Sequence, residues 1–273
     1  MPFICPVCKM PFTETDSAYR CAQNHCFDKA KEGYVNLLMS QKSSKKRHGD
    51  DKMMIRARNA FLSKGYYDFL LDQIFMLIQK HTATSSELCI LDAGCGECYY
   101  SSALRQRLEA EKKRTQIFGI DISKNAVAIA AKINPDIHLA VAGVNHLPIS
   151  DQSVDIVLNL FAPFCEEEFA RVLRPGGIVI HVFPLKNHLL ELKSAIYDKV
   201  YLNHSSLPPL LSLRESEFVT IEKTLHIHSA TDIENLFKMT PYYYKTSLED
   251  QAKLTSLQSL SVQAEFGISV LKK

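Results

Sequence analysis

Two sets of residues in this 273-residue chain have the types and spacing for chemistry. The first is Cys5-x2-Cys8 followed, twelve residues on, by Cys21-x3-His25. Each pair is spaced to bite one ion from a tight knuckle, and the intervening loop brings the pairs together. Thiolates and imidazole in a closed four-ligand set suit tetrahedral zinc, and four protein ligands leave no position for water, so the metal is read as structural. Cys26, beside His25, is an alternative fourth ligand. The second set is Leu91-Asp92-Ala93-Gly94-Cys95-Gly96-Glu97-Cys98. Gly94 and Gly96 let the backbone turn sharply and approach a ligand, and the N–H groups of a following helix present positive dipole ends.

Two features separate this loop from a dinucleotide site. Asp92 stands where a pyrophosphate is repelled and an ammonium group is held, and Cys98 replaces the third glycine of the dinucleotide fingerprint. Asp121, closing Gly119-Ile120-Asp121, is placed to accept hydrogen bonds from both hydroxyls of a ribose. Asp92, Gly94, Gly96 and Asp121 on one frame therefore favour S-adenosylmethionine over a nicotinamide cofactor. Asn159, Ala162 and Pro163 fall just past a later strand, at the mouth where the methyl group points, and are candidates for shaping an acceptor pocket. Tyr242, Tyr243 and Tyr244 either stack on an extruded base or pack into the core. Cys95 and Cys98 read as small packing residues, and no residue is identified as the base that removes a substrate proton.

The elements that must position these groups follow from periodicity. Apolar residues recur at helical spacing from Met53 to about Leu62 and from Tyr66 to about Lys80, with Gly65 between. Beyond residue 87, apolar runs alternate with helical segments: strands at 88–93, 116–120, 138–142, 154–161 and 178–183, the last after a Pro175-Gly176-Gly177 turn, with helices at 98–111, 125–133 and 166–173. Continuous apolar strands separated by helices predict a doubly wound, Rossmann-like α/β domain whose parallel sheet has helices on both faces. Residues 217–227 and 262–271 read as a longer strand pair. The expected division is a zinc-binding module over 1–37, a basic linker and helical segment over 38–83, and the α/β domain over 84–273.

Composition narrows the setting. With 46% hydrophobic and 23% charged residues the chain reads as a globular protein, no apolar run approaches bilayer length, and the N-terminus lacks a secretory pattern. Cysteines at metal spacing fit a reducing, cytoplasmic setting. Residues 1–65 carry 12 Lys/Arg against 6 Asp/Glu, and the remainder 20 against 24. A basic end on a mildly acidic body suggests an anionic partner, with Lys42, Lys45, Lys46, Arg47, Arg56 and Arg58 as candidate phosphate contacts.

At this point the residues match a family. Cys-Pro-Val-Cys at 5–8, Ala-Lys-Glu-Gly-Tyr-Val-Asn-Leu-Leu at 30–38, Gly49-Asp50 with Met53-Met54 and Arg56-Ala57-Arg58, and Gly94-Cys95-Gly96-Glu97 carry the resemblance. Arg174-Pro175-Gly176-Gly177, His188-Leu189 and Met239-Thr240-Pro241 extend it over essentially the whole length. The chain resembles the RlmA-type 23S rRNA (guanine-N1) methyltransferases. The resemblance implies that Cys5, Cys8, Cys21 and His25 hold one zinc ion, and that Tyr67, Gly96, Glu97 and His188 contact S-adenosylmethionine. It implies 23S rRNA as the partner, gripped by the zinc module and basic linker, and a homodimer as the assembly to test. Cys98, where members commonly have glycine, is a departure expected to crowd the helix packing slightly. Two other classes stay in view. A small-molecule, quinone-type methyltransferase would share the α/β domain without needing the zinc module, and a non-catalytic zinc-containing RNA-binding protein would lack donor affinity.

Overall fold

The computed structural model describes residues 2–39, 49–203 and 207–273. Strands β1 (Phe12–Glu14), β2 (Ala18–Cys21) and β3 (Cys26–Asp28) form an antiparallel ribbon, followed by β4 (Val35–Asn36) and helices α1 (Lys52–Leu62) and α2 (Asp68–His81). The alternating region runs β5 (Glu87–Ala93), α3 (Tyr99–Ala110), β6 (Arg114–Asp121), α4 (Lys124–Ile133), β7 (His138–Val141), β8 (Val154–Leu160), α5 (Glu166–Val172) and β9 (Leu173–Pro184). The chain closes through α6 (Leu190–Ile196), β10 (Arg214–Ile227), α7 (Ala230–Lys238), α8 (Leu248–Ala252) and β11 (Leu260–Lys272).

One eight-stranded sheet has the order β10-β11-β9-β8-β5-β6-β7-β4, parallel except for β11, which is antiparallel to both neighbours. The chain moves from β5 outward to β7, then returns to β8 on the other side of β5. That reversal is the switch point at which open α/β sheets bind ligands, beyond the carboxyl ends of the strands. The Gly94–Cys98 loop stands there.

Alternation along the strands divides the core. Ile90, Ile156, Ile178 and Ile180 face a cluster shared with α2, α3, α4, α6 and α7, and Leu91, Phe118, Val157 and Val179 face the other way. The second side bears the expected helical cover, shared with the N-terminal module. Among the described residues it carries one helix, α5, with Leu207, Leu210 and Leu213 beside it and the N-terminal module over the rest. Phe3, Tyr19, Val35 and Leu37 are buried there, and Phe3 meets Phe118 edge-on at 5.2 Å. Val35 pairs with Ala140, so β4 extends the main sheet, while Ser150 N donates to Pro2 O at 2.8 Å and Ile4 N to Pro148 O at 2.9 Å. A module this small cannot bury a core of its own, so it shares the sheet's.

The predicted Pro-Gly-Gly turn is corrected, to an irregularity inside β9. Val154 pairs with Leu173 and Ile156 with Ile178, so the intervening β9 residues bulge, with Gly176 at φ +80°.

Candidate donor site and metal centre

The two zinc knuckles each turn through one left-handed residue, Lys9 (φ +61°) and Asn24 (φ +63°). They bring Cys5, Cys8, Cys21 and His25 together with all ligand atoms within 4.8 Å of one another. Tetrahedral zinc with sulfur at ~2.3 Å and nitrogen at ~2.05 Å requires S···S edges of ~3.8 Å and S···N edges of ~3.5 Å. The chain holds Cys8 Sγ 3.6 Å from Cys21 Sγ, and His25 Nδ1 3.6 Å from Cys5 Sγ and 3.4 Å from Cys21 Sγ. The donor set fits the ion. Cys26 is exposed and outside the set, so His25 takes the fourth place that the spacing alone left open.

At the switch point, the end of β6 stitches the glycine loop in place. Ile120 O accepts from Gly94 N at 2.8 Å and Cys95 N at 3.0 Å, and Asp121 accepts from Gly96 N at 3.0 Å and Ser123 N at 2.7 Å. Gly94 has φ +100°, and a Cβ on it would lie 2.3 Å from the Cβ of Ala162. Only glycine passes there. The Cys98 departure acts through backbone rather than crowding: its side chain is fully buried, and it takes φ +65° at the start of α3, a conformation that costs a non-glycine residue ~1–2 kcal/mol.

Around this loop sit buried polar atoms with nothing to bond. Among the described residues, those without a hydrogen-bond partner are the hydroxyls of Tyr67 and Tyr100, Asp92 Oδ1 and both carboxylate oxygens of Glu97. Burial pushes Asp92 up to about 7, offset in part by its bond from Ser101 Oγ and reinforced by the charge of Asp121. Burial likewise raises Glu97, against the pull of Arg58, and raises Asp121, against two backbone N–H donors. Three carboxylates drawn out of water require cations or hydroxyl donors, and would repel a pyrophosphate. A ligand with an ammonium group, a sulfonium and a ribose fits this set.

The remaining predicted residues divide. Tyr67, 3% exposed, caps the start of α2 with its ring 5.1 Å from Phe266. Phe266 lies 4.6 Å from His188. His188 Nδ1 accepts from Glu265 N at 3.1 Å, which leaves Nε2–H as a donor, and burial with the nearby Lys193 charge pushes this imidazole down to about 3. Asn159 is fully buried and committed to structure. Its Nδ2 donates to Ala93 O at 3.1 Å and Pro163 O at 3.2 Å, and its Oδ1 accepts from His181 Nδ1 at 2.7 Å. It thus ties β5 to the loop holding Ala162 and Pro163. Tyr242 and Tyr243 pack partly against the core, and Tyr244 is 56% exposed.

Of the candidate phosphate contacts, Lys42, Lys45, Lys46 and Arg47 lie outside the described residues. Arg56 is exposed. Arg58 is corrected: its guanidinium is turned inward, 2.5 Å from Asp50 and 3.9 Å from Glu97, because the buried acids of the loop draw the nearest cation. Residues missed from the sequence are Tyr100, Ser101, Asp50 and Phe161. Phe161 is 46% exposed at φ +58°, just past β8 and 5.3 Å from Phe266. The available signals were that Tyr100 and Ser101 open the helix after the glycine loop and that Asp50 lies in a segment carrying the family resemblance.

Both parts of the chain have known relatives. Residues 3–46 match the zinc-ribbon family described as RlmA, N-terminal, and residues 90–177 match a methyltransferase domain family. A putative 23S rRNA (guanine-N1)-methyltransferase of Bacillus subtilis is 30% identical over 98% of this chain and 96% of the relative. The 23S rRNA (guanine(748)-N1)-methyltransferase of Streptomyces fradiae is 34% identical over 70% of this chain and 66% of the relative. A putative 23S rRNA (guanine-N1)-methyltransferase of Micromonospora griseorubida is 34% identical over 69% and 67%. With the zinc ribbon, the methyltransferase sheet and a relative matched nearly end to end, the chain belongs to the RlmA-type 23S rRNA (guanine-N1) methyltransferase family.

Proposed function

We propose that the protein transfers a methyl group from S-adenosylmethionine to N1 of a guanine in 23S ribosomal RNA. The observation that carries this is the gathering of unpartnered buried polar atoms from Tyr67, Asp92, Glu97 and Tyr100 around the glycine loop, on a chain that also holds a complete zinc ligand set. When bound, the donor supplies an electrophilic methyl group on a positively charged sulfur. Asp121 accepts from the ribose, Asp92 and Glu97 neutralise positive charge, and Tyr67 with His188 Nε2–H closes the far side. Catalysis is then mainly proximity, since the leaving group is already activated. Phe161, Ala162 and Pro163 form the wall on which the guanine rests, and Arg56 with the basic segment at 42–47 meets phosphates. The zinc module presents the RNA rather than doing chemistry. The reading also places the protein in the cytoplasm and makes a homodimer the assembly to test by light scattering.

Incubating the protein with methyl-labelled donor and undermethylated 23S rRNA tests the proposal. Label is expected in N1-methylguanine of the RNA. Label confined to small acceptors would support the small-molecule reading, and absence of donor binding by calorimetry the non-catalytic one.

A further inference from the structure

Guanine N1 carries a proton at neutral pH, so attack requires that the base lose it and that the resulting negative charge, spread over N1 and O6, be stabilised. The described residues at the methyl mouth offer no carboxylate for this. They do offer a buried cation. Lys193 of α6 is 3% exposed, and no Asp or Glu among the described residues lies within 4 Å of its ammonium. Its Nζ donates to Asn203 Oδ1 at 2.7 Å and to Tyr201 O at 3.4 Å, and it stands 5.1 Å from the centre of the Tyr242 ring. The third N–H has no partner among the described residues.

Asn203 fixes this arrangement. Its Nδ2 donates to Leu185 O at 2.9 Å and His188 O at 3.3 Å, so Oδ1 is the acceptor, and that oxygen also takes the Tyr242 hydroxyl at 3.1 Å. A buried ammonium held only by neutral groups is expensive unless an anion arrives. Its neighbours suggest which anion. The acids assigned to the donor lie at the ends of β5 and β6, whereas the Lys193 charge acts on His188, whose ring lies 4.6 Å from Phe266, and Phe266 in turn lies 5.3 Å from Phe161 on the wall assigned to the guanine.

We propose that Lys193 is a catalytic residue that stabilises the N1-deprotonated guanine from its O6 side, with Asn203 and Tyr242 as its positioning residues. This rests on the guanine-N1 reading above. The N1 proton passes to solvent before attack; the N1–carbon bond then forms as the sulfur–methyl bond breaks, its electron pair leaving with sulfur, and Lys193 remains protonated throughout.

Other titratable groups around Lys193 are accounted for. His188, on the β9–α6 connection, is neutral, and Tyr242 is held up to about 12 by burial. Glu191 on its own helix accepts from Gln263 N, and Glu265 on β11 accepts from Asn187 N. Asp198 and Asp250 pair with Lys253. Burial lowers Lys193 itself.

The test is the pH profile of turnover on in vitro transcribed 23S rRNA for the parent, Lys193→Met and Lys193→Arg. Loss of the cation is expected to move the ascending limb, set by deprotonation of N1, up by about one to two pH units, with activity near pH 7 down roughly 10–100-fold and recovered at higher pH, while Arg restores the parent profile. Donor affinity by calorimetry is expected to stay unchanged. An equal loss at every pH, or a loss of donor affinity with an unshifted limb, overturns the proposal, the latter assigning Lys193 to the donor carboxylate. A second measurement needs no variant. With S-adenosylhomocysteine present, binding of unmodified rRNA near pH 8 is expected to release more protons than binding of rRNA already methylated at that guanine. Equal release overturns the proposal. Parent enzyme that leaves guanine N1 unmethylated refutes the functional reading instead.

Discussion

Asp92→Asn separates what the donor site costs the fold from what it gives the ligand. The Asp92 carboxyl is 2% exposed, bonded through one oxygen to Ser101 and unpartnered at the other. Burial pushes it from the usual 3.8 to about 7. An unfolded chain therefore releases this proton near pH 4, whereas the folded chain keeps it to about pH 7. Stability owed to the protonated group is fully present below pH ~4 and is lost as pH rises through 7. At about 1.4 kcal/mol for each tenfold change in proton affinity, the ionised carboxylate costs the donor-free protein up to about 4 kcal/mol at pH 8. Asparagine keeps the shape, accepts the Ser101 bond and never ionises. Guanidinium denaturation without donor should find Asp92→Asn more stable than the parent by up to that amount at pH 8, with the gap closing toward pH 4. Calorimetry should find the reverse for a cationic donor: parent affinity rising from pH 6 to 8, and a weaker, flatter response in the variant. If the variant is no more stable at pH 8, or the gap persists at pH 4, the account of this carboxylate is wrong.

Gly94→Ala should abolish donor binding and destabilise the chain by ~1–3 kcal/mol, because its methyl meets Ala162 and its φ is left-handed; donor titration and thermal melting check both. Asp121→Ala should weaken the donor by roughly 10–100-fold through loss of charge-assisted hydrogen bonds and of the Gly96 anchor; an unchanged Kd would contradict the strand–loop assignment. Cys8→Ser should release zinc and lower the melting temperature of the whole chain, because Phe3, Tyr19, Val35 and Leu37 help cover the main sheet; zinc loss with unaltered melting would show the module to be energetically separate.

The sheet and the glycine loop were legible because their signals are local. Ile156–Leu158 and Ile178–Ile180 are apolar without interruption, as the middles of strands covered on both faces are, and Gly94, Gly96 and Asp121 follow or close comparable runs. The zinc ligands were legible for the same reason, each pair lying within one turn. What the sequence hid depends on distant partners. A two-residue strand such as β4 has no period to detect, yet it joins the ribbon to β7. Arg58 looks like any basic helix residue until Glu97, 39 positions later, is seen beside it. Lys193, Asn203 and Tyr242 are unremarkable singly, and their meaning is that no carboxylate among the described residues pairs with the ammonium where they meet.

N1-methylguanine cannot form a Watson–Crick pair, so primer extension locates it as a stop. Extension across 23S rRNA from a strain lacking the gene, before and after treatment with purified protein and S-adenosylmethionine, tests the central claim most directly. One new donor-dependent stop at a guanine is the expected result. An unchanged extension pattern, with donor demonstrably bound, would contradict it.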